Sequence, residues 1–549
     1  MLQIKNLTVT HIKDNRILLD NLSFTLNNDD KIAIIGEEGN GKSTLLKLIY
    51  DEASVEEYIE YSGEIIRNNM RIGYLAQELT AEEKAMTVYE FMCKMPLFFE
   101  ASPKELAQLA GELKMPSDIF YSEQQMGKLS GGEKIKLQLG RLILNQSEVL
   151  LLDEPSNDLD IMTINWLERF INESRLPVLY ISHDEVLLEN TANAIIHIEQ
   201  IKRKMQSKAT VMRIPYLEYM EGRARGLAHQ EQVARKERSD FEKQQEKFRQ
   251  IQQKVEHRQN TISRQDPHGG RLLKKSMHRI KAYEARFEKE FENMTEIPET
   301  EDAIFIKFGE NANMPNGKIV LDYYLDKLKI AESEAEKIKT AENNSEENKN
   351  TENKAEEKQI KESLIKESLT KERLLSENIS LRIQGAEKVC IIGKNGCGKT
   401  TLLRKIAEEL LARNDIKVAY MPQNYEELLD MEQTPVEFLS ETGDKDEISR
   451  IRTYLGSMKY TPDEMTHKIK ALSGGQKAKI LLLKMSMSGC NVLILDEPTR
   501  NFSPLSNPVI RQMLRGFGGA IISVSHDRRY IEEVIDKVYE LTETGLVLR

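Results

Sequence analysis

The sequence predicts an α/β protein made of two tandem phosphate-loop domains joined by an α-helical hairpin. Three observations lead there. Four motifs occur in the same order in each half. The first set is Gly36-Glu37-Glu38-Gly39-Asn40-Gly41-Lys42-Ser43, Leu129-Ser130-Gly131-Gly132, Asp153-Glu154-Pro155 and Ser182-His183-Asp184. The second is Gly393-Lys394-Asn395-Gly396-Cys397-Gly398-Lys399-Thr400, Leu472-Ser473-Gly474-Gly475, Asp496-Glu497-Pro498 and Ser525-His526-Asp527. Each glycine-rich loop follows an apolar strand-like run and precedes a helical one, the order phosphate binding requires. Between the halves lies a long stretch of Glu, Gln, Lys, Arg and Ala with no proline.

At 549 residues the chain is too long for a single core. We assign residues 1–205 to the first domain, 206–300 to the linker and 301–549 to the second domain. In the first, Ile32-Ala33-Ile34-Ile35 is the strand before the loop and Thr44-Leu45-Leu46-Lys47-Leu48-Ile49 the helix after it. Val389-Cys390-Ile391-Ile392 and Leu402-Leu403-Arg404-Lys405-Ile406 repeat that pattern. Val149-Leu150-Leu151-Leu152 and Val492-Leu493-Ile494-Leu495 are uninterrupted apolar runs, as parallel strands buried on both faces require.

The linker predicts a helix from Tyr216 to about Thr261, a break at Pro267-His268-Gly269-Gly270, and a second helix from Arg271 to about Asn293. The turn would lie at about 263–272. Val255, Ile262, Leu272, Leu273, Met277, Ile280, Tyr283 and Phe287 would form the coiled-coil seam between the helices. Residues 331–372 are repetitive in Glu, Lys, Asn and Ser with no aromatic residue, so they are expected to be a low-complexity insertion without a core of its own.

Charge is unevenly spread. The net charge is -11, yet residues 221–290 hold 18 Lys and Arg against 11 Asp and Glu. Lys274, Lys275, Arg279 and Lys281 are the densest basic group. Such a stretch suits contact with phosphate-rich partners. Cys93, Cys390, Cys397 and Cys490 have no zinc-ligand spacing and no disulfide-framework pattern, which fits a reducing compartment. No run approaches the roughly 18 apolar residues of a membrane helix, and the start has no apolar targeting core, so a cytoplasmic location is expected.

The motifs call for ATP and magnesium. Backbone N–H groups of a glycine-rich turn converge on phosphate oxygens only where no side chain intervenes. Candidate nucleotide contacts are therefore Gly36, Gly39, Asn40, Gly41, Lys42, Ser43 and Thr44 in the first loop, with Gly393, Asn395, Gly396, Cys397, Gly398, Lys399, Thr400 and Thr401 in the second. Lys42 and Lys399 would neutralise the β and γ phosphates. Ser43, Thr400, Asp153 and Asp496 would hold magnesium, together with Gln77 and Gln423, which would couple the ion to domain movement. Glu154 and Glu497 would polarise the attacking water, and His183 and His526 would reach the γ phosphate.

The two Leu-Ser-Gly-Gly motifs resemble the signature of ATP-binding cassette (ABC) proteins. That resemblance implies two ABC-type ATPase domains in which Ser130, Gly131 and Gly132 of one half face Lys399, and Ser473, Gly474 and Gly475 of the other face Lys42. Paired cassettes, no membrane segment and a charged helical linker resemble the ABC-F subfamily, and among it the proteins that confer antibiotic resistance in Gram-positive bacteria by ribosome protection. The resemblance implies a monomer whose hairpin enters the tRNA exit site of the large ribosomal subunit and approaches the peptidyl-transferase centre, with Lys274, Lys275, Arg279 and Lys281 meeting rRNA and tRNA. A housekeeping ABC-F translation factor and the ATPase subunit of a membrane transporter are the alternatives. Two departures stand out. Phe502-Ser503 replaces the Leu-Asp pair kept at Leu159-Asp160, so the two sites should differ in hydrolysis. No aromatic adenine platform is evident before the first loop, where His11 or Ile12 stands.

Overall fold

The computed structural model describes residues 1–201, 206–261, 313–331 and 372–549, together with positions 275, 280, 282, 283, 286, 287, 294 and 295. The chain forms two compact units, Met1–Pro215 with Ile304–Arg549, and Tyr216–Ala303.

In the first half of the larger unit, β1 (Leu2–His11), β2 (Arg16–Leu26) and β4 (Ile59–Ile66) make an antiparallel layer. Beside it lies a six-stranded sheet of β3 (Lys31–Ile35), β5 (Ile72–Leu75), β6 (Val149–Asp153), β7 (Val178–Ile181), β8 (Ala194–Ile201) and β9 (Gln206–Met212). Its order is β5-β6-β7-β3-β8-β9, parallel throughout except for β9. Every residue of β3, β6 and β7 is buried, the consequence of packing layers on both faces.

The second half repeats this plan. β10 (Ile319–Ala331) and β11 (Glu372–Gln384) pair antiparallel. β12 (Lys388–Ile392), β13 (Val418–Met421), β14 (Val492–Asp496), β15 (Ala520–Val524), β16 (Lys537–Thr542) and β17 (Gly545–Leu548) form the sheet β13-β14-β15-β12-β16-β17. Strand for strand it is the same order, again with only the last strand antiparallel. In both halves the phosphate loop leaves the carboxyl end of a central strand; the parallel strand beside it leads to the histidine, and the next one ends in the Asp-Glu pair.

One boundary differs from the sequence expectation. The first domain runs past residue 205, because β9 pairs with β8 from Ile201↔Gln206 to Ile195↔Met212 and Ser207 Oγ donates to the Leu18 carbonyl. That strand, Gln206-Ser207-Lys208-Ala209-Thr210-Val211-Met212, is too polar to stand out by pattern. The pairing of β10 with β11 runs as far as Ala331↔Glu372, the expected bounds of the insertion. Residues 332–371 lie outside the described residues.

The smaller unit contains a 46-residue helix, Tyr216–Thr261, about 69 Å long at about 1.5 Å per residue. Phe241 meets Phe287 at 5.6 Å between ring centroids, and Phe248 meets Tyr283 and Phe287 at 6.2 and 5.3 Å. The Thr295 N–H donates to Glu237 at 2.8 Å. Positions rising along the helix thus meet positions falling on the return, an antiparallel register. Ile280 is buried. Phe241 and Phe248, absent from the expected seam, supply its first-helix side. The expected turn at 263–272 and Ile262, Leu272, Leu273, Lys274, Met277, Arg279 and Lys281 lie outside the described residues.

Candidate active site

Each phosphate loop ends on a glycine that opens a helix from the left-handed region, Gly41 at φ +84° before Lys42–Tyr50 and Gly398 at φ +98° before Lys399–Leu411. A Cβ at Gly41 would lie 3.0 Å from Leu18, and one at Gly398 would lie 2.7 Å from Leu375, so both conformation and space require glycine. Neither helix start has a side-chain cap, which leaves its first N–H groups for an anion. The Lys42 ammonium donates to the Gly36 and Glu37 carbonyls at 2.8 and 3.0 Å. Lys399 does the same with Gly393 and Lys394, both at 2.9 Å. The Asn40 amide is turned into the sheet, onto the Ile198 carbonyl at 3.0 Å, and the Cys397 sulfur packs behind Gly393. Those two positions face the loop's mouth only through backbone. Thr44 lies against Tyr58, whereas Thr401 lines a cavity described below.

The acids sit at the ends of β6 and β14. Asp153 accepts from Ser43 Oγ at 2.9 Å and Tyr74 OH at 3.2 Å. Burial pushes the carboxyls of both Asp153 and Asp496 above their ordinary range. Neither carboxylate oxygen of Asp496, which is 1% exposed, makes a hydrogen bond of normal geometry among the described residues, and Thr400 is the hydroxyl beside it. Two orphaned anionic oxygens near a threonine at a helix start fit a magnesium ion whose other ligands come from phosphate and water. Consistent with so few protein ligands, no group of three or more His, Cys, Asp or Glu among the described residues forms a cation cage.

Glu154 and Glu497 follow directly. Both are held at positive φ, +51° and +52°, a costly conformation for a residue other than glycine. His183 Nε2 lies 2.8 Å from Glu154, whereas His526 Nε2 lies 3.9 Å from Glu497. Glu497 accepts instead from Ser525 Oγ and the His526 N–H. Its burial pushes the carboxyl up to about 8, and burial, then Lys399, lowers His526 to about 4. His183 Nδ1 and His526 Nδ1 have no partner among the described residues.

Ser130 and Ser473 cap the helices Gly131–Leu144 and Gly474–Met487 through reciprocal boxes with Glu133 and Gln476. Each signature therefore presents a fixed helix start. Ser130 and Gly131 share a cavity of about 990 Å³ with Gly396, Gly398, Lys399, Thr400, Asp496, Glu497 and His526 of the other half. Gly132 is buried against Thr163 and does not line this cavity. Gln423 and Gln77 both line this cavity. The opposite pairing is much tighter. Glu37, Glu38 and Gly39 face Ser473 and Gly475 across about 230 Å³. There Glu38 accepts the Gly475 N–H at 2.6 Å and Glu37 pairs with Lys459 at 3.0 Å, while Gly474 lies toward Asn501.

The segments after the Asp-Glu pairs differ as their sequences do. Asp158 pairs with Arg500 at 2.8 Å, its carbonyl accepts from the Asn395 amide, and Asp160 reaches the Asn395 backbone and His526. Phe502 and Ser503 are instead buried in their own half, where Ser503 bonds Ser506. Neither His11, paired with Asp14, nor Ile12, which is exposed, lines the smaller cavity; Arg16 does, donating to the Gly39 carbonyl at 3.0 Å. The motif pattern alone does not mark Arg16, Glu37 or Glu38, although two acids inside a phosphate loop are a visible oddity.

The ABC transporter family model matches residues 19–157 and 376–500. The chain is 27% identical to the ATP-binding protein YdiF of Bacillus subtilis (strain 168), over all of this chain and 80% of that one. It is 28% identical to the ATP-binding protein Uup of Buchnera aphidicola (subsp. Schizaphis graminum), over 96% and 79%, and 24% identical to ABC transporter F family member 5 of Arabidopsis thaliana, over 96% and 73%. Among solved structures it resembles the RNase-L Inhibitor, with a TM-score of 0.53 at 16% identity over 98% of this chain and 89% of that one. Fold, repeated motifs and relatives agree on a tandem-cassette ATPase.

Proposed function

We propose that this tandem-cassette ATPase is an ABC-F protein that binds the bacterial ribosome, and that ATP held between its cassettes directs the linker hairpin toward the tRNA exit site and the peptidyl-transferase centre. The observation that carries this is the smaller unit: a 46-residue helix with an aromatic antiparallel return, which lies between the two cassettes in sequence. A lever of that length has no task in hydrolysis itself. Support also comes from likeness over 96% of this chain, and 73% and 75% of the relatives, to two proteins named for the F family. No helix among the described residues is long and apolar enough to cross a membrane. We place the protein in the cytoplasm as a monomer.

In the chemistry we propose, Lys399 leaves its own carbonyls for the β and γ phosphates and the Gly398 helix start takes phosphate oxygens. Thr400 and Asp496 would hold magnesium, which would supply positive charge at the phosphates when bound. Glu497 accepts the proton of the attacking water, His526 orients the γ phosphate, and Ser130 and Gly131 complete the site from the other half. Lys42, Ser43, Asp153, Glu154, His183 and Ser473 are the first-loop counterparts.

The test is a chain carrying Glu154→Gln and Glu497→Gln. It should sediment with ribosomes in ATP and stop translation; remaining in the supernatant with ATP would refute the ribosomal reading. The finer proposal, antibiotic resistance by ribosome protection, is checked by expressing the chain in a sensitive Gram-positive host. Reduced susceptibility to a lincosamide, pleuromutilin, streptogramin A, phenicol or macrolide supports it. Unchanged susceptibility across that panel overturns it in favour of the housekeeping role.

A further inference from the structure

The third residue of each phosphate loop faces the other cassette, and the two loops use opposite chemistry there. In the second loop it is Asn395, a donor to the Asp158 carbonyl, and the start of the facing signature helix is left clear over a large cavity. In the first loop it is Glu38. Its carboxylate accepts the N–H of Gly475, the second residue of the Gly474–Met487 helix, at 2.6 Å. A Cβ placed on Gly475 would come within 3.0 Å of the same carboxylate, so the two groups are in full contact. Ser473 already serves the Gln476 N–H, so Glu38 takes up an orphan donor that the cap does not reach. Glu37 and Lys459 brace this contact at 3.0 Å.

We propose that Glu38 is a built-in competitor for the terminal phosphate of ATP at the first composite site, so that the two sites bind nucleotide unequally and the Lys399 site fills first. A helix start offers positive potential and unpaired N–H groups, and an anion is what it attracts. In the nucleotide-sandwich arrangement that anion is the γ phosphate; here a carboxylate of the facing loop takes the same kind of position. ATP entering beside Lys42 must displace Glu38 from Gly475 and then tolerate its charge a few ångströms away. At the Lys399 site the corresponding side chain is neutral and bonded elsewhere. With Glu38 seated, the first site is also latched shut in the empty protein, so opening and closing are concentrated at the second.

The inference rests on the nucleotide-sandwich reading, and the experiment separates the two. Equilibrium dialysis of radiolabelled ATP with magnesium is run on the full chain carrying Glu154→Gln and Glu497→Gln to suppress turnover. Two binding steps are expected, the weaker lost in Lys42→Ala and the tighter lost in Lys399→Ala. Adding Glu38→Asn, or the nearly isosteric Glu38→Gln, should tighten the weaker step by about tenfold or more, the scale of one partly screened repulsion between close charges, and leave the tighter one in place. Two equal steps in the parent, or a weaker step unmoved by both Glu38 substitutions, overturns the proposal and leaves the sandwich standing. Steps unaffected by Ser130→Arg and Ser473→Arg overturn both.

Discussion

Arg511 of the second cassette grips Glu185 of the first with both terminal nitrogens, at 2.5 and 3.1 Å, while its Nε holds Glu533 of its own half at 2.8 Å. Arg511 is 4% exposed, and this is the most buried link across the cassettes among the ion pairs described. Arg500, Arg528 and Arg529 make the same kind of contact with Asp158, Glu168 and Glu189. In each pair the second cassette brings the cation and the first the acid.

Removing one partner of a buried pair strands the other charge. Arg511→Met should therefore destabilise the chain by about 3 kcal/mol, and adding Glu185→Met should recover much of that, as read from urea unfolding. Two independent losses that simply add would contradict the pairing.

Glu497→Gln should lower ATP turnover by about a hundredfold or more while ATP still binds, because the substitution keeps the shape and removes the proton acceptor. The check is single-turnover hydrolysis alongside nucleotide binding. Glu154→Gln, in the latched site, should have the smaller effect.

The pH dependence of the nucleotide-free chain has a definite sign. Glu497 titrates at about 8 in the fold against 4.5 as its ordinary value, so its contribution is fully present below 4.5 and is lost as pH rises through about 8. Glu497→Gln should gain thermal stability relative to the parent as pH is raised across that window. His526 runs the other way: lowered to about 4 from 6.5, its contribution is lost as pH falls through that range, and His526→Asn should be the relatively more stable chain at pH 4 to 5. Parallel melting profiles would contradict both assignments.

Phe248 holds Tyr283 and Phe287 against the long helix. Phe248→Ala should cost about 1 to 2 kcal/mol locally, visible as faster amide exchange around residues 283 to 287, and weaken ribosome binding without lowering ATP turnover.

Local chemistry made much of this readable in advance. The phosphate loops, the apolar strands ahead of Asp153 and Asp496, and the Ser-x-x-Glu and Ser-x-x-Gln boxes at Ser130 and Ser473 all act within a few residues, so their spacing states their geometry. The departure at Phe502-Ser503 was legible too, and the structure places both side chains in their own half. What stayed hidden joins distant positions. Arg511 and Glu185 are 326 residues apart, and no period or cap relates them. Glu38 becomes meaningful only once Gly475 is opposite it, and β9 is too polar to declare itself until β8 supplies its partner.

On the reading proposed above, each nucleotide is held by both cassettes, most clearly between Lys399 and Ser130. Photocleavage of the chain trapped with MgADP and vanadate, which cuts the backbone beside the γ-phosphate position, tests it directly. Cuts at the second phosphate loop and also at Ser130 are predicted; cuts confined to the loops, with Ser130 intact, would contradict the account.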